Sequence, residues 1–385
     1  MTQSRGAINI SYLTTGFSGT STYNLSGGTI NAQSKTSGYN GTGFFNQSGG
    51  QNLMSGSLWV GLHYSSNTPG SNTYNLTDGV LSTGDTVIGG DEQGDFVNVK
   101  ATHDVAGNLI LGNQSINNGN GTYTITGNSA QTNVTFVSGG NGPGNPNGAL
   151  LVGNVGTGSF TQGTDVTDAG NQVDVAGDLV LGHQDSTVST YMLNSGTLNV
   201  GGVAIVGSAS TNNNVFNQNG GTLMLTGSAN GNADYAPGNS GAEPAAFPNK
   251  LCVGGESVDN NGTGTYNLTG GALTASGVYL SFSGTGTFNQ SGGSVTADFV
   301  DLGDCGGCNG GNAAGLYNLT GTGTLTANSD YVGNFGHGNF LLNGVGTQNT
   351  FNTTLSIGNY VTQTPNVANL GNYDRSGLTS SLLAR

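Results

Sequence analysis

One short phrase returns along almost the whole chain: an aromatic residue, Asn, then Leu or Gln, Ser or Thr, and often two glycines. Clear copies begin at Tyr23, Phe45, Tyr74, Phe216, Tyr266, Phe288 and Tyr317, and weaker copies at Tyr123, Phe160, Tyr191 and Phe340. The closest copies are 22 residues apart, as from Tyr23 to Phe45. A repeat of this length is typical of solenoids, in which each unit packs only on its neighbours.

A second phrase, apolar, any residue, apolar, Gly, follows the first, as in Leu58–Gly61, Leu109–Gly112 and Leu251–Gly254. Each unit therefore offers three short strands separated by Gly, Asn and Ser turns. Glycines and β-branched residues oppose a helix. The sequence predicts an all-β fold, a right-handed parallel β-helix of roughly a dozen coils with loop insertions.

The repeat sets the expected domain boundaries. We expect a single solenoid over residues 1–358, followed by a tail, 359–385, that serves as a cap, a linker or a segment exchanged between protomers. Ile8–Tyr12 is already strand-like, and neither end shows an amphipathic capping helix. An uncapped solenoid exposes a strand edge that can template pairing with another chain.

Stacked coils place like residues above like residues. Asparagines recur at one position of the first phrase and are expected to form side-chain ladders: Asn24, Asn46, Asn75, Asn267, Asn289 and Asn318. Copies with Tyr and Leu alternate with copies carrying Phe and Gln. Tyr23 and Tyr74 are 51 residues apart, as are Tyr266 and Tyr317. This spacing indicates that two coils were duplicated together.

Composition excludes several function classes. Only 7% of the 385 residues are charged, Lys and Arg number 6, and the net charge is −14. Nucleic acid rewards basic patches, so it is not an expected partner. No run of 18 apolar residues is present, so membrane insertion is not expected either. The first residues lack the apolar stretch of a signal peptide, so export would imply a processed N-terminus.

The phrases at residues 22–28 and 45–50, each followed by an apolar-Gly phrase, resemble β-helical repeat proteins of bacterial surfaces. The nearest groups are autotransporter-type passenger repeats and the Gly/Asn-rich repeats of exported proteins with a sorting tail. The resemblance covers about residues 8–358 and implies an extracellular or cell-surface location. It concerns architecture, because the shared phrase is structural. The C-terminal barrel or sorting tail of these families is not visible.

The middle residue of the second phrase is expected to point outward, since its neighbours point into the core. This outer row is mostly apolar: Trp59, Val87, Ile110, Leu151, Val180, Ile205, Cys252, Tyr279, Asp301, Tyr331 and Ser356. One interpretation is an assembly stripe that packs against another protomer. The alternatives are a wall covered by the chain's own loops, or a row selected by β-propensity alone.

Cysteine and acidic residues supply the few candidate sites. Cys305 and Cys308 form a Cys-x-x-Cys, for which we expect a short disulfide; a redox pair, or half of a zinc site with Cys252, is the alternative. Acidic loops provide weak calcium candidates, with no complete calcium repeat among them: Asp91, Asp95, Asp301 and Asp304. We therefore expect no cofactor, with calcium as the one alternative.

Enzymatic signals are few. A β-helical polysaccharide lyase needs a basic residue beside acidic ones, and Lys100 near His103 and Asp104 is the only local candidate. A hydrolase needs paired carboxylates, for which Asp174 and Asp178 are an ordinary pair. We expect no enzymatic activity.

The sequence favours a secreted structural protein whose protomers stack head to tail into extracellular or matrix filaments, with the protein itself as partner. The alternative is a surface adhesin that binds glycans or host surfaces, and the lyase is a third class. Insertions at about 137–149 and 228–249 would discriminate. An ordered concave site there would favour the adhesin, and packing against neighbouring chains would favour the fibre.

Overall fold

A computed structural model describes most of the chain. The described residues are 1–62, 70–99, 101–113, 119–127, 133–137, 148–164, 170–184, 188–227, 249–255, 262–282, 284–303, 313–333, 336–344, 347–357, 370–376 and 381–384.

The chain folds as an all-β solenoid of about 11 turns, with parallel strands stacked coil on coil and no helix among the described residues. This confirms the predicted fold class. The contacts divide the chain into two units. The first comprises Met1–Leu179 and Ser186–Asn199, and the second comprises Val180–Asp185 and Val200–Arg385.

Short strands make up the first unit. They are β1 (Thr2–Gln3), β2 (Ala7–Thr15), β3 (Ser21–Leu25), β4 (Thr29–Ser37), β5 (Gly43–Met54), β6 (Leu58–Val60), β7 (Ser71–Thr83), β8 (Thr86–Ile88), β9 (Gln93–Asn98), β10 (Thr102–Val105), β11 (Leu109–Leu111), β12 (Asn120–Ile125), β13 (Asn133–Val137), β14 (Leu150–Val152), β15 (Thr157–Gln162), β16 (Asn171–Val175), β18 (Thr190–Leu193) and most of β19 (Thr197–Val200).

The second unit is built in the same way. Its strands are most of β17 (Leu179–Leu181), then β20 (Ala204–Val206), β21 (Asn213–Gln218), β22 (Thr222–Leu225), β23 (Lys250–Val253), β24 (Thr263–Leu268), β25 (Ala272–Thr274), β26 (Gly277–Leu280), β27 (Thr285–Gln290), β28 (Ser294–Leu302), β29 (Ala314–Thr320), β30 (Thr324–Val332), β31 (His337–Asn343), β32 (Gln348–Ile357), β33 (Leu370–Ser376) and β34 (Ser381–Ala384).

Each coil contributes three strand segments, and each segment pairs with its equivalent in the next coil. The aromatic phrase forms the first ladder, β1–β3–β5–β7–β9–β12–β15–β18 in the first unit and β21–β24–β27–β29–β31–β33 in the second. The apolar-Gly phrase forms another ladder, for example β6–β8–β11–β14. In some coils two consecutive segments are continuous and form one long strand, as in β4 and β28.

Burial alternates along the strands of the aromatic phrase, so one face of each points into a narrow interior. In β24, Gly264 and the side chains of Tyr266 and Leu268 are buried, while the residues between them are half-buried. The glycine that ends the apolar phrase has a positive φ, as at Gly89 (69°) and Gly254 (84°). A Cβ at Gly254 would also collide with the backbone of Thr285 in the next coil, so only glycine fits this corner.

The ladder extends beyond the predicted boundary at residue 358. Strand β33 pairs in parallel with β31, and β34 pairs with β32. Tyr373 lies in register with Phe340 and Gly371 with Gly338, so Leu370–Ser376 repeats the aromatic phrase. Part of the tail is therefore another solenoid coil.

Candidate functional site

A column of stacked aromatic rings runs through the interior of each unit. In the first unit, ring centroids are 4.7 to 5.0 Å apart from one coil to the next, through Tyr23, Phe45, Tyr74, Phe96, Tyr123, Phe160 and Tyr191. In the second unit they are 4.7 to 4.9 Å apart, through Phe216, Tyr266, Phe288, Tyr317 and Phe340. The column follows directly from the register, because parallel in-register strands place equivalent side chains about 4.8 Å apart.

The alternation of Tyr coils with Gln coils has a chemical reason. A buried tyrosine hydroxyl donates to the Oε1 of the glutamine in the preceding coil. The pairs, with their distances, are Tyr23 with Gln3 (2.7 Å), Tyr74 with Gln47 (2.7 Å), Tyr191 with Gln162 (2.8 Å), Tyr266 with Gln218 (2.5 Å) and Tyr317 with Gln290 (2.6 Å). A hydroxyl buried without a partner would cost free energy, and in these five pairs the preceding Gln coil supplies the acceptor.

The same glutamines also close turns. Gln290 donates through Nε2 to the carbonyl of Gly293 (3.2 Å) and to that of Thr324 (3.0 Å), which belongs to the next coil. Gln218 does the same with Gly221 and Ala272. Each glutamine therefore ties together two coils, a turn and an aromatic ring.

The predicted asparagine ladders are confirmed. In the first unit, Asn46 donates to Asn24 (2.9 Å) and Asn75 donates to Asn46 (2.9 Å). In the second unit, a ladder of the same kind has distances of 2.8 to 2.9 Å and runs through Asn217, Asn267, Asn289 and Asn318.

A buried polar network replaces the Tyr–Gln pair at Tyr123. His103 Nδ1 lies 2.9 Å from the Tyr123 hydroxyl, and His103 Nε2 lies 3.2 Å from Thr86 Oγ1. Thr135 Oγ1 lies 3.0 Å from the Tyr123 hydroxyl. The His103 ring also stacks on Phe96, with centroids 4.8 Å apart. Burial lowers the pKa of His103 to about 3, so the imidazole is neutral at pH 7.

Lys35 occupies an interior position that holds apolar residues in neighbouring coils. It lies in register between Leu13 and Leu58. Its side chain is 1% exposed, and its ammonium nitrogen lies over the Phe45 ring without a hydrogen-bond acceptor. Burial lowers the pKa of Lys35 well below its usual value.

Asp330 is the corresponding buried acid of the second unit. Its column neighbours are Val300 and Leu355. Asn349 donates to Asp330 Oδ2 (2.8 Å), while Oδ1 has no hydrogen-bond donor. Burial raises the pKa of Asp330 to about 6.

The outer row is largely covered by the chain itself. In the first unit, Val87 and Leu151 are buried, while Trp59 and Ile110 are half-buried. In the second unit the buried members are Val180, Ile205, Cys252, Tyr279 and Asp301, and the half-buried ones are Tyr331 and Ser356.

Tyr279 shows how this covering arises. Its ring packs edge-on against Phe299, with centroids 5.0 Å apart, and Lys250 Nζ lies 4.5 Å from its centroid. The surface left for a lateral contact is therefore much smaller than a continuous stripe. It consists of Trp59 and Ile110 in the first unit and Tyr331 in the second.

The structure describes three of the four candidate calcium ligands. Asp91 and Asp95 belong to the first unit, and Asp95 accepts a hydrogen bond from Gln93 Nε2 (3.2 Å). Asp301 belongs to the second unit, and Asp304 lies outside the described residues. Within the described ranges, no three His, Cys, Asp or Glu residues are grouped so that they could hold a metal ion.

Two other predictions fall wholly or partly outside the described ranges. Cys305 and Cys308 lie outside the described ranges, so their disulfide stays a prediction. Most of the insertions at 137–149 and 228–249 also lie outside these ranges, so their role stays a prediction as well. Cys252 is 8% exposed.

The structure describes some of the candidate lyase and hydrolase residues. Lys100 lies outside the described residues, and the ring of His103 is completely buried in its network. The Asp174 carboxylate accepts hydrogen bonds from Gln172 (2.7 Å) and Asn199 (2.6 Å). The Asp174 carboxylate is thus held by two side-chain amides. Asp178 is 8% exposed.

The first coil ends in an unpaired edge. Strand β1 pairs only with β3, and β2 pairs only with β4, among the described strands. Several large apolar side chains of this coil are exposed, with Met1 71%, Ile10 41%, Tyr12 66% and Phe17 63% exposed.

Sequence reasoning missed that this first coil starts with a copy of the repeat. Thr2 lies in register with Asn24 and Gln3 with Leu25, so Met1-Thr2-Gln3-Ser4 corresponds to Phe45-Asn46-Gln47-Ser48. The sequence signal for this copy is Gln3 followed by Ser4, the same pair as Gln47 and Ser48 in the copy that begins at Phe45.

Comparison with known protein families, curated proteins and solved structures finds no match. Among the residues that the structure describes, no helix is long and apolar enough to cross a membrane.

Proposed function

We propose that this protein is a secreted structural protein whose protomers stack head to tail into extracellular filaments. The observation that carries the proposal is the first coil, which combines an unpaired backbone edge with an incompletely covered apolar interior. The proposed contact adds the first coil of one copy to the last coil, β33 and β34, of another.

The backbone of β1 offers free hydrogen-bonding groups. Met1 donates to the Thr22 carbonyl (2.8 Å), and the carbonyls of Met1 and Gln3 accept from Asn24 and Ser26. Because alternate residues of a parallel strand bond to opposite neighbours, the backbone groups of Thr2 point to the free edge. An edge of this kind can pair with another chain.

The interior is also open at this coil. Ile8 is half-buried, whereas Ile30, its neighbour in register, is completely buried. Leu13 is half-buried as well, whereas Leu58, two coils further in the same column, is completely buried. Covering Ile8 and Leu13 with another coil would remove apolar surface from water, at about 25 cal/mol for each Å² buried.

The repeat pattern supports a first-to-last contact. Tyr coils alternate with Phe and Gln coils, and the last coil carries Tyr373 at the aromatic position. The first coil carries Met1 at that position and Gln3 at the glutamine position. Stacking the first coil on the last coil of another copy would therefore continue the alternation.

The composition suits a durable extracellular material. With only 6 Lys and Arg residues, the chain offers few sites to trypsin-like proteases. Side contacts between filaments would use the half-buried residues of the outer row, Trp59 and Ile110 in one unit and Tyr331 in the other.

The test is electron microscopy of the purified protein at neutral pH over a range of concentrations, with and without EDTA. The informative variant is Ile8→Glu, which places a charge where a second copy would bury it. Thr14→Glu is the matched control, because Thr14 is exposed on the same strand.

We expect regular filaments from the wild type and from Thr14→Glu, and separate particles from Ile8→Glu. Loss of filaments in EDTA would indicate that calcium is bound at the junction between copies. Separate wild-type particles at every concentration would rule out the filament and favour the second candidate, an adhesin. The exposed Tyr12, which offers an aromatic face at the surface, is the observation in favour of the adhesin.

A further inference from the structure

A groove of about 530 Å³ lies on the outside of the first unit, where three consecutive coils turn the same corner. Three consecutive residues of each coil form its walls. They lie in β2, in β4, and at the end of β5 with the turn that follows it. The lining residues are Asn9, Ile10, Ser11, Asn31, Ala32, Gln33, Leu53, Met54 and Ser55.

The groove combines an apolar floor with an amide and hydroxyl rim. Ile10, Ala32 and Met54 lie in register across the three coils and supply apolar surface. On the rim, Asn31 Nδ2 donates to Asn9 Oδ1 (2.7 Å). This bond fixes both amides and leaves an N–H of Asn9 and an oxygen lone pair of Asn31 to face a ligand.

More polar groups line the same rim. Ser11, Gln33 and Ser55 are exposed, and each brings hydrogen-bonding groups to the groove.

Charge and size restrict the occupant. None of the lining residues is charged, and the whole chain has a net charge of −14, so an anionic ligand finds no counter-ion here. A stable protein interface buries about 800 Å² on each partner, which three coil corners cannot provide. The groove is shallow and open to solvent, which suits a chain lying along the surface better than an enclosed small molecule.

We propose that this groove binds a neutral glycan chain. The apolar floor would contact the C–H faces of the sugar rings, while the rim amides and hydroxyls would bond to their hydroxyl groups. Asn9, Ile10 and Ser11 belong to β2, the edge strand of the first coil, so the groove borders the proposed junction between copies. Glycan binding and filament formation are measured in separate experiments, so the failure of one is distinguishable from the failure of the other.

Calorimetric titration tests the site with defined probes. These are neutral hexasaccharides of glucose, N-acetylglucosamine, mannose or galactose, and hexagalacturonate as the anionic probe. The informative variants are Gln33→Ala and Asn31→Ala. Gln51→Ala is the control, since Gln51 is also an exposed glutamine and does not line the groove.

We expect at least one neutral hexasaccharide to bind and hexagalacturonate not to bind. Each groove variant should weaken binding about fivefold, the effect of one lost hydrogen bond, and Gln51→Ala should leave it unchanged. Thermal melting of the variants checks that the fold is intact. The proposal is overturned if no neutral probe binds, if hexagalacturonate binds equally well, or if binding is the same in the groove variants.

Discussion

The hydroxyl of Tyr317 donates a 2.6 Å hydrogen bond to Oε1 of Gln290 in the coil before it, and both side chains are completely buried. Because of this contact, the alternation of Tyr and Gln copies along the repeat contributes to the stability of the fold. Gln290 also holds the carbonyls of Gly293 and Thr324, so its loss leaves several buried polar groups without partners.

Gln290→Leu is therefore expected to destabilise the protein by about 2–4 kcal/mol, because the Tyr317 hydroxyl and two carbonyls lose their partners. Tyr317→Phe should cost only about 1 kcal/mol. Denaturant unfolding of the two single variants and the double variant measures the coupling between them. Strictly additive effects would show that the two side chains act independently.

Lys35→Met is expected to raise stability by about 1–3 kcal/mol at pH 7, because an apolar side chain replaces an amine buried without an acceptor. The pH dependence gives a second readout. Burial lowers the pKa of Lys35 in the folded state below 10.5, so the unfolded chain binds the extra proton. The stability of the wild type should then rise from pH 7 towards pH 9.5.

The difference between the wild type and Lys35→Met should narrow over the same pH range. Arg5→Met, which removes an exposed cation, serves as the control. An equal pH response in the wild type and Lys35→Met would contradict the buried neutral amine.

Asp330→Asn should stabilise the protein at pH 7 and have little effect at pH 3.5. The pKa of Asp330 is raised from 3.8 to about 6, so the folded state holds a proton that the unfolded state has lost. That stability is complete below pH 3.8 and is lost as the pH rises through 6. A shift of this size corresponds to about 3 kcal/mol. Melting temperatures between pH 3.5 and 7, compared with those of the exposed-site variant Asp298→Asn, provide the measurement.

His103 should respond to pH in the opposite direction. Its pKa is lowered to about 3 from 6.5, so acid favours the unfolded chain as the pH falls below 6.5. Hydrogen exchange should therefore speed up around β10 between pH 6.5 and 4, after correction for the intrinsic rate. In His103→Phe this acceleration should disappear, although the variant loses the contacts to Thr86 and Tyr123. Equal acceleration in both proteins would assign it to another group.

The sequence alone was sufficient for the coil, its three strands and the asparagine ladder, because these depend on residues that recur at fixed positions. Lys35 could not be placed inside from the pattern, since a single cation among apolar equivalents is more often a turn residue. The role of Gln290 also escaped, because its partner Tyr317 is in another coil and the contact depends on the register across a variable insertion.

The outer row shows a different limit. Alternation along a strand predicts which way Tyr279 points, and it does not predict what covers the outside of the wall. In the structure Phe299 and Lys250 cover that ring. The sequence therefore left open whether this row is a contact stripe or a wall covered by the chain itself, and in the structure Trp59 and Ile110 remain accessible in part.

The asparagine ladders also give each unit a direction. Every amide donates towards the earlier coil, as Asn46 does to Asn24 and Asn318 does to Asn289, so the amide dipoles add along the column. A column of this kind presents N–H groups at its early end and carbonyl oxygens at its late end. Two such columns attract when joined early end to late end and repel when like ends meet, so the side chains alone favour growth with a single polarity.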